Sequence, residues 1–318
     1  MSKAVRLPLT QLIYGTEYKS IEKNVLDIAS TYKSSDRADG LFTAALMLDS
    51  SAKNSDTEKK ALNMYLQSAT EGSPDAFCNI GVCYEIGRGV TADVLKAAEY
   101  YKKAIAVSEA LSGKGHFTAM SNLGAIYAEK TDSEEDGAIA FELLRSASES
   151  GEAVPLLNLA LCYEHGKGCA KDILTAAYYY EKSGSSGSAK ALYKLGLLCI
   201  THYEMPSQKL FSVEKAVEYF ERAGSMGISD AYCELADIYG SDEYGKYDEK
   251  KVITCYKKAS DLGSDVAAYQ LANRYLKGKG VEKDEKTALL LLKKAALRGY
   301  VPAKNQLSRL KKADQTKA

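Results

Sequence analysis

Apolar and small residues recur along this chain in a pattern that repeats about every 36 residues. The repeats align on seven glycines, Gly72, Gly115, Gly151, Gly187, Gly227, Gly263 and Gly299. Counted from each glycine, position 4 is alanine in all repeats but one, position 8 is leucine or isoleucine, position 9 is small and position 12 is usually tyrosine. These positions fall along one side of a helix with about 3.6 residues per turn. The pattern therefore predicts that each repeat begins with a helix that buries this side.

A glycine-containing turn and a second helix complete each repeat. The turn is clearest at residues 87–90, 166–169 and 278–281, where a G-x-G sequence suits the positive φ values found at helix ends. An aspartate then opens the second helix, as at Asp93, Asp172 and Asp284. The second helices place a bulky residue seven positions before the closing glycine, such as Tyr180 or Leu144. The predicted fold is all-α, an α/α superhelix (solenoid) of antiparallel helix pairs with about seven repeats and a C-terminal half-repeat cap.

Three regions are expected along the chain. Residues 1–36 form an N-terminal capping segment with one amphipathic helix at 18–33, and residues 37–312 form the solenoid, with repeats ending at about 72, 115, 151, 187, 227, 263 and 299 before a capping helix. Residues 313–318 are expected to be a disordered tail. The repeat ending at Gly115 has seven extra residues, which predicts a longer second helix, and the repeat ending at Gly227 has four extra residues near 201–212. Such insertions serve function in some solenoids and are tolerated loop drift in others.

The charge balance argues against several kinds of partner. Lysine plus arginine and aspartate plus glutamate both number 42, whereas a nucleic-acid-binding protein normally carries a basic excess, so no nucleic-acid partner is expected. This also opposes an RNA-binding array of helix pairs. No apolar stretch approaches the length of a membrane span, so direct membrane insertion is not expected.

The termini and cysteines bear on the compartment. Seven irregularly spaced cysteines favour a reducing environment, and the N-terminus lacks the apolar core of a secretory signal. We therefore expect a cytoplasmic protein. A basic start with no acidic residue before Glu17 makes a mitochondrial location the alternative.

The motifs together resemble the Sel-1-like repeat family, a relative of the tetratricopeptide repeats. The best matching repeat runs from Ala76 through Ile80-Gly81, Tyr84 and the turn at residues 87–90 to Ala104. The resemblance covers residues 37–312. It implies a right-handed superhelix that scaffolds protein complexes in signalling, protein quality control or enzyme activation.

The residues show no set of groups suited to catalysis or to holding a metal or a cofactor. The G-x-G turns follow helices rather than strands, unlike phosphate-binding loops. Cys162, His165 and Cys169 are close in sequence, but a structural zinc site needs four ligands, and both cysteines align with apolar positions of other repeats. His116 and His202 have no base or nucleophile in register. We therefore predict no catalytic residue, no metal, no cofactor and no enzyme activity.

One polar position lies among the apolar positions of every first helix. Position 7, together with position 10 in the later repeats, is predicted to line the concave groove of the superhelix, where amide side chains bind an extended peptide. The candidate residues are Asn79, Asn122, Asn158, Lys194, Glu234, Asp237, Gln270 and Asn273. The alternative is that they only solvate an exposed helix face.

These observations lead to two functional hypotheses. The first is a monomeric, non-enzymatic adaptor that holds one or more protein partners in the groove. The second is a regulatory or activating subunit of a membrane-associated enzyme complex. The sequence does not identify the partner.

Overall fold

The computed structural model describes residues 27–28, 36–130, 133–202 and 211–315, and no strand occurs among them. From Arg37 onward these residues form fifteen α-helices and one turn of 3-10 helix at Ser148–Ser150. The α-helices are α1 (Arg37–Ser50), α2 (Ser55–Thr70), α3 (Pro74–Ile86), α4 (Val94–Ser112), α5 (Phe117–Lys130), α6 (Glu134–Ala147), α7 (Ala153–His165), α8 (Ile173–Ser185), α9 (Ala189–Thr201), α10 (Val213–Ser225), α11 (Ser229–Gly240), α12 (Glu249–Asp261), α13 (Asp265–Lys277), α14 (Glu285–Leu297) and α15 (Val301–Gln315). The predicted all-α class is confirmed.

The helices pack as successive pairs within two compact units, residues 1–182 and 183–318. In the first unit α1 packs on α2, α3 on α4, and α5 on α6, and the second helix of each pair also packs on the first helix of the next pair. The second unit repeats this arrangement with α9 on α10, α11 on α12, and α13 on α14. The predicted stacking of helix pairs is therefore present in each unit.

Side chains cap the helices in a regular way. Several second helices begin at aspartates, as predicted, with the Asp93 carboxylate accepting from the Lys96 N–H at 3.1 Å and Asp284 from the Thr287 N–H at 3.0 Å. Others begin at Asn54, Ser133 and Ser212. First helices often begin at a serine directly after the closing glycine, a cap that the sequence analysis did not identify. The Ser188 and Ser264 hydroxyls accept from backbone N–H groups three residues later. Removing one such cap typically costs about 1 kcal/mol, so the caps help fix where each helix starts.

The longer second helix predicted for the repeat ending at Gly115 is present as α4, of 19 residues. The residue that closes this repeat was predicted wrongly. Helix α4 ends at Gly113, whose φ of 71° and N–H bond to the Glu109 carbonyl make the left-handed helix end. Gly113 rather than Gly115 therefore takes the closing role, because the extended helix stops two residues earlier than the alignment suggested.

Small residues at position 9 allow the two helices of a pair to approach closely, as predicted. A methyl group placed on Gly81 of α3 would lie 2.6 Å from the Tyr101 ring of α4, and one placed on Gly124 of α5 would lie 2.8 Å from Leu144 Cγ of α6. Real side chains do not approach so closely. The glycines are therefore required by the bulky residue that faces them.

Several predicted features lie outside the described residues. These are most of the N-terminal capping helix at 18–33, the centre of the insertion at 201–212 and residues 316–318 of the tail. Of the capping segment, Asp27 and Ile28 are helical, and Ile28 packs against the core of the first unit. At the other end α15 runs to Gln315, past the predicted end of the solenoid at 312.

Candidate functional site

Buried tyrosines connect the two helices of several pairs through a carboxylate. The Tyr65 hydroxyl of α2 donates to Asp49 Oδ2 of α1 at 3.5 Å, and the Tyr101 hydroxyl of α4 donates to Glu85 Oε2 of α3 at 2.5 Å. Tyr180 of α8 donates to Glu164 of α7 in the same way. Burial raises the pKa of Tyr65 to about 12, so its hydroxyl keeps its proton and remains a donor at neutral pH.

The asparagines at position 7 contact these tyrosines from the following helix pair. The Asn79 amide of α3 lies beside the Tyr65 hydroxyl and offsets part of the rise in its pKa, and the Asn122 amide of α5 does the same at Tyr101. Two of the predicted partner-binding amides are therefore also part of the contact between successive pairs. Each amide has further donors and acceptors. We call these contacts the first junction (Asp49, Tyr65, Asn79) and the second junction (Glu85, Tyr101, Asn122).

The third junction (Ala128, Leu144, Asn158) is formed by the same positions of the repeat, but two of its three residues are of a different type. Leu144 stands in place of the tyrosine and Ala128 in place of the carboxylate. Leucine lacks the outer half of the phenol ring and its hydroxyl. Within the part of the chain that the structure describes, the Asn158 side chain has no hydrogen-bond partner.

A pocket of about 240 Å³ opens at the third junction. Its walls include Ala125, Ala128, Leu144, Asn158, Leu161 and Cys162. We call it the Leu144 pocket. Glu129 and His165 also border it and are exposed, so the pocket is open to solvent. It is an accessible cavity next to one of the predicted site residues.

In the second unit, two of the polar residues predicted to line the groove are acidic. The Tyr193 hydroxyl of α9 donates to Glu234 Oε1 of α11 at 3.3 Å, and the Tyr256 hydroxyl of α12 donates to Asp237 Oδ1 at 3.4 Å. Burial raises the pKa of Glu234, and the nearby charge of Asp237 adds to the effect. Burial also raises the pKa of Asp237. Since both carboxyl groups are more easily protonated than usual, a cation from outside would be favourable beside them.

The other predicted site residues of this unit differ in their environment. Lys194 of α9 is half-buried and Gln270 of α13 is exposed. Asn273 of α13 accepts a bond of 3.5 Å from the Gln306 amide of α15. The structure therefore joins Glu234 and Asp237 to tyrosines and Asn273 to Gln306, whereas Gln270 projects to solvent. The role of the carboxylate at position 13 of the first helix was not predicted; in the first unit it accompanies a tyrosine sixteen residues later, as in Asp49 with Tyr65.

The cysteines considered as metal ligands have other contacts. The Cys169 thiol donates to the Cys162 carbonyl at 3.5 Å, and burial raises the pKa of Cys162 to about 12, so its thiol is neutral. Across the described ranges, no group of three or more His, Cys, Asp or Glu side chains is arranged to hold a metal ion. Cys162 therefore behaves as a small apolar residue of the core.

The histidines have structural contacts as well. His116 Nε2 lies 3.0 Å from Asp75 Oδ1, while its Nδ1 accepts from the Ala119 N–H at the start of α5. The His202 ring lies against Phe211. In addition, none of the helices in the described ranges combines the length and apolar character that crossing a bilayer requires.

Comparison with known proteins identifies the repeat. The Sel1 repeat model matches residues 74–106, 118–152, 156–188, 189–228, 229–264 and 265–300. Among solved structures, a Sel1 repeat protein from Oxalobacter formigenes superposes with a TM-score of 0.65 at 24% identity, covering 81% of this chain and 99% of that one. This likeness shows the fold.

Two curated relatives are similar over part of the chain. The chain is 30% identical over 139 residues to the chitin synthase regulator SKT5 of Saccharomyces cerevisiae. It is 24% identical over 169 residues to the DAP3-binding cell death enhancer 1 of Rattus norvegicus. Each alignment covers 43% of this chain but only 19% of the first relative and 33% of the second, so the chain spans a minor part of the length of each.

Proposed function

This chain belongs to the Sel1 repeat family, and on that premise we propose that it is a non-enzymatic scaffold whose first helices bind a protein partner through their row of polar residues. Sel1 repeats mediate protein–protein interaction. The observation that supports this role here is the accessible polar row itself. Position 7 is polar in every repeat although position 8 beside it is always leucine or isoleucine, and Asn158 and Gln270 make no internal hydrogen bond within the described ranges.

The chemistry of the row differs between the two units. The first unit offers asparagine amides, which donate to and accept from a peptide backbone. The second unit offers Glu234, which is half-buried, and Asp237, which is exposed. The pKa of each carboxyl group is raised, so a partner with basic side chains is favoured because a nearby cation stabilises the charged form. We infer that a partner bound to the second unit presents lysine or arginine there.

The test is partner retention by variants of the second unit. Lys194→Ala/Gln270→Ala removes two side chains of the row that have no internal hydrogen bond, so the fold should be preserved. Retention of specific partners, measured by affinity purification with mass spectrometry, should fall by about fivefold or more, as expected for an interface residue worth about 1 kcal/mol. Lys257→Ala, on the exposed side of α12, is the matched control. Equal recovery by all three proteins would rule out the row as the binding surface.

A second candidate function is activation of a membrane-associated enzyme. The observation that favours it is the similarity to the chitin synthase regulator SKT5, although the alignment covers only 19% of that protein. In this case the protein should sediment with membranes from gently lysed cells and leave them when its enzyme partner is deleted. A protein that stays entirely in the supernatant at native expression would contradict this function.

A further inference from the structure

We propose that the Leu144 pocket receives a tyrosine side chain from the protein partner. The inference rests on the proposed scaffold function and names one residue that the partner must present. Tyr65 and Tyr101 fill the position of Leu144 in the first and second junctions.

The first two junctions show what this position accommodates. Each holds a phenol ring whose hydroxyl donates to a carboxylate of its own pair and lies beside an asparagine of the next pair. In the third junction the asparagine remains as Asn158, but the phenol and the carboxylate are both gone. The close glycine contact is kept, since a methyl group placed on Gly124 would lie 2.8 Å from Leu144 Cγ and one placed on Gly81 would lie 2.6 Å from the Tyr101 ring. The missing part of the side chain is therefore left as open space.

The pair formed by α13 and α14 also has leucine in place of the tyrosine, and there the position 7 amide of the next helix is not left without a partner. Leu292 of α14 stands at the tyrosine position of its pair, with Leu276 in place of the carboxylate. In this pair Gln306, at position 7 of the following helix, donates to Asn273. At the third junction a small residue, Ala128, combines with an unpartnered Asn158. Both features are needed for a vacant site with a polar group.

The size and lining of the pocket match an aromatic ring with a hydroxyl. A cavity of about 150 Å³ lined by apolar side chains is large enough to hold a benzene ring, and the Leu144 pocket has about 240 Å³. Ala125, Leu144 and Leu161 supply apolar walls. The Asn158 amide can both donate to and accept from a phenol hydroxyl, whereas phenylalanine would leave it unpaired. Tyrosine is also a common anchor at protein interfaces.

The test uses p-cresol, which is the tyrosine side chain, and toluene, which is the phenylalanine side chain, with the full chain. Titration followed by NMR should show saturable p-cresol shifts at Ala125, Ala128 and Leu161. Toluene should bind at least about tenfold more weakly, because it leaves Asn158 without a partner. Absence of p-cresol shifts at these residues, or equal binding of both compounds, would overturn the proposal.

Variants fill the pocket or create a second one. Leu144→Tyr/Ala128→Glu rebuilds the internal tyrosine–carboxylate pair and should abolish p-cresol binding. The matched variant Tyr101→Leu/Glu85→Ala should create a second p-cresol site next to Asn122. Asn158→Leu does not depend on fitting a larger ring, and it should remove the preference for p-cresol over toluene. Unchanged p-cresol binding in the filled variant, or an unchanged preference in Asn158→Leu, would contradict the assignment.

Partner retention separates this inference from the scaffold function. The filled variant should lose the partner that the wild type retains, and that partner should lose binding when its anchoring tyrosine is changed to alanine. If Lys194→Ala/Gln270→Ala loses the partner but the filled variant keeps it, the scaffold function stands and the pocket inference fails. If both variants keep the partner, the polar row and the pocket both fail as binding surfaces.

Discussion

The second and third junctions are built from equivalent helices of successive repeats in the same register, yet one is closed and the other is open. At the second junction Tyr101 fills the space between the pairs, donates to Glu85 and lies beside Asn122. At the third junction Leu144 and Ala128 leave a pocket beside Asn158. The same backbone arrangement is therefore compatible with two different sets of side chains at the junction. With tyrosine and a carboxylate the polar groups stabilise the stack, and with leucine and alanine the asparagine is available to a ligand.

The largest effect in this comparison should come from opening the closed junction. Tyr101→Leu removes the buried ring and leaves Glu85 and Asn122 without their shared partner. The loss of packing and of the hydrogen bond to Glu85 should lower the free energy of unfolding by about 2–4 kcal/mol. The measurement is the midpoint of urea unfolding followed by circular dichroism. Tyr178→Leu, at a residue that is 51% exposed, is the control and should change little. A midpoint equal to that of the wild type would mean that the tyrosine does not stabilise the junction.

A middle-sized effect should distinguish the two glycines that face these residues. In Gly81→Ala the new methyl group would lie 2.6 Å from the rigid Tyr101 ring, whose hydroxyl is bonded to Glu85. We expect a net loss of about 1–2 kcal/mol, since overpacking outweighs the helix propensity gained. In Gly124→Ala the methyl group would lie 2.8 Å from Leu144, which can move toward the pocket, and 3.3 Å from the Ala140 carbonyl oxygen, so we expect a smaller loss than in Gly81→Ala. Equal losses for the two variants would argue that the pocket gives Leu144 no room to move.

The smallest effect should come from the two asparagines. Asn122→Ala removes the amide beside the Tyr101 hydroxyl and should cost about 0.5 kcal/mol, the lower end of the range for one hydrogen bond. Asn158→Ala removes a side chain without an internal partner and should leave the unfolding midpoint within experimental error. The pair should be measured side by side at neutral pH. A larger loss for Asn158→Ala than for Asn122→Ala would reverse the assignment of structural and accessible amides.

Most of the fold could be predicted because its causes are local and repeated. Position 9 is small where a bulky residue faces it, and an aspartate or another short polar residue caps the second helices, so the helix pairs follow from the sequence pattern alone. The closing glycine of the longest repeat could not be chosen by alignment. Gly113 and Gly115 both permit a left-handed helix end, and only the length of α4 decides between them.

The site was less predictable because its partners come from different repeats. Asn79 and Asn122 were selected as polar positions, but the tyrosines that they contact belong to the preceding helix pair. One signal could have indicated this. The carboxylate at position 13 occurs together with a tyrosine sixteen residues later, as in Glu85 with Tyr101 and Glu164 with Tyr180. In the α11–α12 pair position 13 is Gly240, and Tyr256 instead uses Asp237, one turn earlier.

Because Asn79 and Asn122 lie beside tyrosines of the preceding pair, the group of helices that packs together is displaced by one helix relative to the sequence repeat. A fragment cut at a glycine boundary, for example after residue 115, would keep Tyr101 but lose the amide that completes its environment. Loss or duplication of a whole repeat, in contrast, rejoins every tyrosine to some position 7 side chain. The number of repeats can therefore change without disturbing the packing inside the stack. The residues at each junction decide whether that repeat only supports the stack or also forms a binding pocket.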